Sequence, residues 1–311
     1  MPLSNECKLL KNAPLEFLKK YWVSPSNGFS SAKLPDQTNP RLQRASDFNF
    51  MGRVNDTDSL LTISTLANKI AYTNLVKVDG QHYNLNCYSP EQLSDAQKAD
   101  LLPIWYLPWR ADHITKMRIL SADQMPEGQI NPDIFFTSAL TGCSVFVKGP
   151  ARIPTVFHAG FDSNRNYVAH PKVDPDSIQH WRILFNRYAP GGPFSEANKS
   201  QYLAAFRDSP DLQVYMNLLK TMHGGKLRLE NIIGEGSVFG VRDKGTGDWH
   251  FYLQESVTIV CREVRVRRKF FGGTEEVVGN QQTYTRPMCV VEFFPDGSGT
   301  VRAWNTDRLL A

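Results

Sequence analysis

Strand-like runs stand on both sides of a helical block in this chain, and they never alternate regularly with helices. Residues 134–137, 144–148 and 155–159 are short, apolar and rich in β-branched and aromatic types. Residues 237–242, 249–254, 256–270 and 283–294 repeat that character, with glycine or Asp-Gly turns between several of them. Between the two sets, residues 175–188 put Ile178, Trp181, Phe185 and Tyr188 on one helical face. Residues 196–207 and 212–222 read as two more helices, the second closed by His223-Gly-Gly. The lack of βαβ alternation argues against a Rossmann-type nucleotide fold, and the pattern predicts an α+β domain built on antiparallel sheets.

Upstream, residues 14–23, 58–68 and 90–102 read as helical and 81–88 as a strand. Residues 24–49 are rich in Ser, Pro, Asn and Gln and read as a linker. The expected organisation is an N-terminal arm over 1–49, with an export or chaperone-binding role, and a single catalytic domain over 50–311.

The formal charge of +4 arises from 35 basic and 31 acidic residues, an excess too small to imply nucleic-acid binding. No window reaches the roughly 18 apolar residues of a membrane-spanning helix, and the N-terminus carries no secretory signal pattern. The five cysteines (Cys7, Cys87, Cys143, Cys261 and Cys289) include no C-x-x-C pair, which argues against a disulfide framework and a zinc site. The histidines likewise lack metal-ligand spacing. A reduced thiol, and so a reducing working compartment, is expected.

The candidate chemistry lies in residues 137–160. If 144–148 and 155–159 pair as an antiparallel hairpin with Lys148 opposite Thr155, then Phe146 meets Phe157 and Val145 meets His158. Cys143 then sits diagonal to His158 on the same face, within side-chain reach. A one-residue slip would separate them, but the matching of Phe146 with Phe157 favours this register. A thiol of pKa about 8.5 is mostly protonated at neutral pH, and a neighbouring imidazole can take its proton as it attacks an acyl carbon. Gly142 lets the backbone approach closely, so the amides at Cys143 or Ser144 are candidates to face an oxyanion.

Leu140-Thr141-Gly142-Cys143, with His158 following fifteen residues later in Val-Phe-His-Ala-Gly, resembles the Leu-Ser-Gly-Cys and Tyr-His signature of the cytotoxic necrotizing factor catalytic domain. Burkholderia lethal factor shares that Leu-Ser-Gly-Cys signature and fold. The resemblance spans about two dozen residues, with threonine standing where the family has serine. It implies an antiparallel β-sandwich core flanked by helices, and a toxin- or effector-type glutamine deamidase. Cys143 would be its nucleophile and His158 its acid and base, with Gly142 and Ser144 at the oxyanion side and no cofactor or metal. In that family a backbone carbonyl orients the histidine; Thr137 is the candidate here, with Asp162 and Asp112 as side-chain alternatives. The resemblance further implies a secreted or translocated bacterial protein working in the host cytosol. Its substrate would be a host protein, such as a Rho-type small GTPase or a translation initiation helicase. The alternatives are a cysteine peptidase or acyltransferase using the same dyad, or a non-catalytic adaptor in which Cys143 is packed.

Two further motifs read as structural. Residues 234–240, GEGSVFG, mimic a kinase glycine-rich loop but lack the kinase context, and are expected to turn into a hairpin. Residues 262–269, REVRVRRK, alternate as a half-solvated strand, with Glu263, Arg265, Arg267 and Lys269 opposite Val264, Val266 and Phe270.

Overall fold

The computed structural model describes residues 3–25, 70–109, 113–160, 182, 185–186, 189–202, 210–222, 226–268 and 272–295. In chain order the strands are β1 (Trp22–Pro25), β2 (Ile70–Lys77), β3 (His82–Tyr88), β4 (Leu102–Leu107), β5 (His113–Arg118) and β6 (Ile134–Thr137). They continue with β7 (Ser144–Lys148), β8 (Thr155–Gly160), β9 (Phe194–Ala197), β10 (Leu227–Arg242), β11 (Trp249–Arg268) and β12 (Thr274–Phe294). They form an eight-stranded sheet in the order β1-β3-β2-β4-β6-β10-β11-β12 and a four-stranded sheet in the order β5-β8-β7-β9. Helices Asn5–Asn12, Pro14–Lys20 and Pro210–Met222 complete a mixed α and β architecture dominated by large sheets.

The small sheet is antiparallel throughout. The large sheet is mixed, because β1 runs parallel to β3 and β4 parallel to β6. The second of these pairs follows from the chain's path. After β4 the chain leaves the large sheet to form β5 in the small one, returns as β6, and leaves again for β7. Residues 108–109 and 138–143 are two of the crossings.

The middle of the large sheet is apolar on both sides. Trp105, Leu107, Phe135 and Val238 join Met117, Val145, Val147 and Val156 of the small sheet in one cluster. Their neighbours Ile104, Tyr106, Phe136 and Phe239 pack instead with Leu10, Phe17, Leu18 and Val23. Burial on both faces explains why β4 and β6 read as unbroken apolar runs rather than alternating ones.

Residues 3–25, expected as part of an arm, are thus built into the fold. Ser4 caps the first helix by accepting from the Cys7 amide at 3.1 Å. Gln254 on β11, fully buried, donates to the Leu18 and Tyr21 carbonyls and accepts from the Val23 amide. Residues 26–49, 58–68 and 203–207, and most of 175–188, lie outside the described residues, as does His223-Gly-Gly. Residues 90–102 resolve into a 3-10 turn, Pro90–Gln92, a short helix, Asp95–Ala99, and the start of β4.

Two expectations near the C-terminus change. Residues 234–240 are no turn; they run through the middle of β10. A Cβ at Gly236 would sit 3.0 Å from the Tyr202 ring, so the glycine is there for close approach. Residues 249–268 form one continuous strand where two were expected. Its far end is open on the apolar side as well, with Val266 67 % exposed.

Candidate active site

The hairpin pairs in the expected register: Lys148 with Thr155, Val147 with Val156, Phe146 with Phe157 and Val145 with His158. Phe146 and Phe157 fall on one face, against Phe185, and Val145 and Val147 on the other, in the cluster shared by both sheets. Cys143 precedes β7 by one residue and joins that second cluster. Opposite it stands Gly160, at the end of β8. A Cβ on Gly160 would lie 2.3 Å from Cys143 Sγ and 2.6 Å from Trp109 Nε1. The sulfur and the indole N–H therefore share the space that the absent side chain leaves.

His158 is fully buried on β8, opposite Thr115 of β5 on one side and Val145 on the other. Its Nδ1 lies 2.6 Å from Thr137 Oγ1. The same hydroxyl lies 2.7 Å from the Leu107 carbonyl, which can only accept. The single threonine proton is thus directed to Leu107, and Thr137 receives the imidazole Nδ1–H. That fixes the neutral tautomer with its lone pair on Nε2. The contact is made by the threonine hydroxyl, not by the backbone carbonyl expected from the resemblance. The alternatives Asp162 and Asp112 lie outside the described residues.

Burial dominates the electrostatics. It pushes the Cys143 thiol up to about 12, opposed by a backbone hydrogen bond from Thr141, the Trp109 indole and the charge of Lys199. It pushes the His158 imidazole down to about 3. At rest the pair is a neutral thiol and a neutral imidazole. Among the described residues Nε2 has no hydrogen-bond partner, so no bond joins it to the sulfur. Among those residues Trp109 Nε1 also lacks a partner of good geometry, although it is near enough to the sulfur to favour its ionised form.

The backbone around Cys143 is fastened from elsewhere. Tyr202, fully buried, accepts from the Gly142 amide at 2.9 Å and donates to the Cys143 carbonyl at 2.8 Å. Gly142 has φ of 141°, a conformation that disfavours any side chain. Its amide is occupied by Tyr202, which removes Gly142 as an oxyanion donor. The Cys143 amide, by contrast, donates to no described acceptor. Ser144 opens β7 opposite Ala159, on the face of Phe146 and Phe157, away from the sulfur. Leu140 exchanges two backbone hydrogen bonds with Gly236, anchoring the loop to β10.

No motif or spacing in the sequence marks Trp109, Tyr202 or Ser138 as part of a site. Ser138 Oγ accepts from the Trp109 amide at 2.9 Å and lies 3.0 Å from Tyr106 Oη. Their participation depends on contacts spanning 29 to 60 positions, for which no local spacing gives a sign. Among the described residues no group of three or more His, Cys, Asp or Glu gathers to hold a metal ion. No helix among them is long and apolar enough to cross a membrane.

Neither a family model nor a curated protein matches the sequence.

Proposed function

We propose that this chain is a cysteine–histidine protein glutamine deamidase of the toxin or effector kind. It would convert a glutamine of a host protein to glutamate in the host cytosol, on a sandwich-like core. The observation that carries the reading is the Thr137-fixed tautomer of His158, which leaves a bare Nε2 on the strand face that Cys143 continues. The hairpin register and the Leu-Thr-Gly-Cys motif add support.

Because both groups rest neutral, proton transfer accompanies attack. The Cys143 S–H proton moves to His158 Nε2 as sulfur bonds to the carboxamide carbon and the carbonyl electron pair shifts to oxygen. Collapse of that oxyanion expels ammonia, which takes the proton from His158 and leaves a thioester. His158 then removes a proton from water, the hydroxide attacks the thioester, and glutamate leaves as Cys143 is reprotonated. A Rho-type GTPase or a translation initiation helicase is the class of target that the motif resemblance suggests.

The test is incubation with host-cell lysate, followed by mass spectrometry for Gln-to-Glu conversion. Wild type should modify a discrete site, and Cys143→Ser and His158→Ala should not. Equal modification by all three proteins rejects the assignment. The burial of Cys143 favours one competing reading, a packed thiol in a non-catalytic adaptor. In that case Cys143 would alkylate no faster than the buried Cys7 or Cys87.

A further inference from the structure

Unused hydrogen-bonding capacity collects on the strand face that Cys143 shares with His158. Among the described residues, Trp109 Nε1 and His158 Nε2 are buried without a hydrogen-bond partner of good geometry, and the Cys143 amide donates to no acceptor. Buried polar groups are normally satisfied, so such a set asks for a guest. Two donors and one acceptor beside a thiol complement a primary carboxamide, whose oxygen accepts twice and whose nitrogen donates.

We propose that the Trp109 indole N–H is a catalytic donor that, together with the Cys143 amide, holds the oxyanion formed when the thiol attacks. This rests on the acyl-transfer reading of Cys143. The placement fits the role, since Nε1 and Sγ flank the same point above Gly160. An oxyanion forms on the carbon bonded to that sulfur, within reach of a donor on the other side of the gap.

Trp109 is also held before any substrate arrives. Its amide donates to Ser138 Oγ, the preceding Pro108 carbonyl accepts from Thr115 Oγ1 at 2.9 Å, and the Leu107 carbonyl accepts from Thr137 and from the Ser138 amide. Thr137 and Ser138, adjacent in sequence, thus position the imidazole and the indole respectively. A donor fixed in advance, in a buried site, needs no reorganisation as charge develops.

Two reagents separate this role from packing. Acylation of Cys143 by p-nitrophenyl acetate forms a C–S bond while the carbonyl pair moves to oxygen. The oxyanion then collapses, the bond to p-nitrophenolate breaks, and the thiol proton leaves through His158. Alkylation by iodoacetamide forms a C–S bond as iodide departs, with no oxyanion. In the intact chain, Trp109→Phe should slow Cys143 acylation about ten- to a hundredfold and slow alkylation clearly less, since alkylation loses only the indole's help in ionising the sulfur, both read by mass spectrometry on the Cys143 peptide. Unchanged acylation, or an equal fall in both rates, overturns the proposal. Should Trp109→Phe unfold, revealed by rapid alkylation of all five cysteines, 3-benzothienylalanine at position 109 replaces the N–H with sulfur in a ring of the same shape. The same selective loss is then required. Selective loss without any deamidation in lysate rejects the deamidase reading and keeps the Trp109 donor. A wild-type Cys143 that alkylates but never acylates rejects both.

Discussion

Thr137 does two things with one oxygen. Its proton satisfies the Leu107 carbonyl at the end of β4, and its lone pair takes His158 Nδ1–H. Thr137→Val keeps the shape and removes both bonds, leaving a buried imidazole N–H without its acceptor. The expected cost is about 1–3 kcal/mol of stability, measured by urea unfolding. The Nδ1–H tautomer should also lose its dominance, which imidazole ¹⁵N shifts report directly. Thr137→Ser retains the oxygen and should preserve the tautomer. If Thr137→Val left the ¹⁵N pattern unchanged, the hydroxyl would not be what sets the imidazole. Ser138, next in the chain, serves the backbone of Trp109, so one dipeptide at the edge of β6 organises both rings.

At the scale of elements, residues 3–25 depend on a side chain more than 200 positions away. Gln254 alone satisfies two carbonyls and one amide of that segment from within β11. Gln254→Leu would fill the space but orphan three buried backbone groups, at a cost of roughly 1–3 kcal/mol for each group that finds no other partner. Hydrogen exchange should show residues 3–25 opening before the rest of the sheet; uniform loss of protection would mean that the segment is held by its apolar contacts instead. This dependence explains what could be read in advance. The strands flanking Cys143 were legible because their apolar character and the glycine- and proline-bearing loop between them, residues 149–154, are local signals, and with them came the register and the shared face of Cys143 and Val145. The segment 3–25 was not, since its partners are distant. Residues 274–282 were missed because both faces of the ribbon end are exposed, leaving no alternation to detect. Glu255 looked like a break between two strands, yet it is buried within β11. In the site, spacing revealed the thiol and imidazole, whereas Trp109 and Tyr202 enter only where the chain crosses between sheets.

For the molecule as a whole, the buried pair ties folding to pH on both sides of neutrality. His158 is held down to about 3 in the fold and regains its ordinary value of 6.5 when unfolded. As pH falls below 6.5 the unfolded chain binds a proton that the folded one refuses, so stability declines until pH nears 3. Cys143 is held up to about 12 against an ordinary 9.0. As pH rises above 9.0 the unfolded chain releases a proton that the folded one keeps, and stability again declines towards pH 12. Each limb contributes a slope of up to about 1.4 kcal/mol per pH unit, with a plateau near pH 7–9 where neither group pulls. Unfolding free energies measured by urea across this range should show the acid slope reduced in His158→Gln and the alkaline slope reduced in Cys143→Ala, each variant leaving the other limb intact. A wild-type acid limb that His158→Gln does not flatten would show the imidazole already charged in the fold. The neutral resting pair, and with it the coupling of proton transfer to attack, would then have to be abandoned.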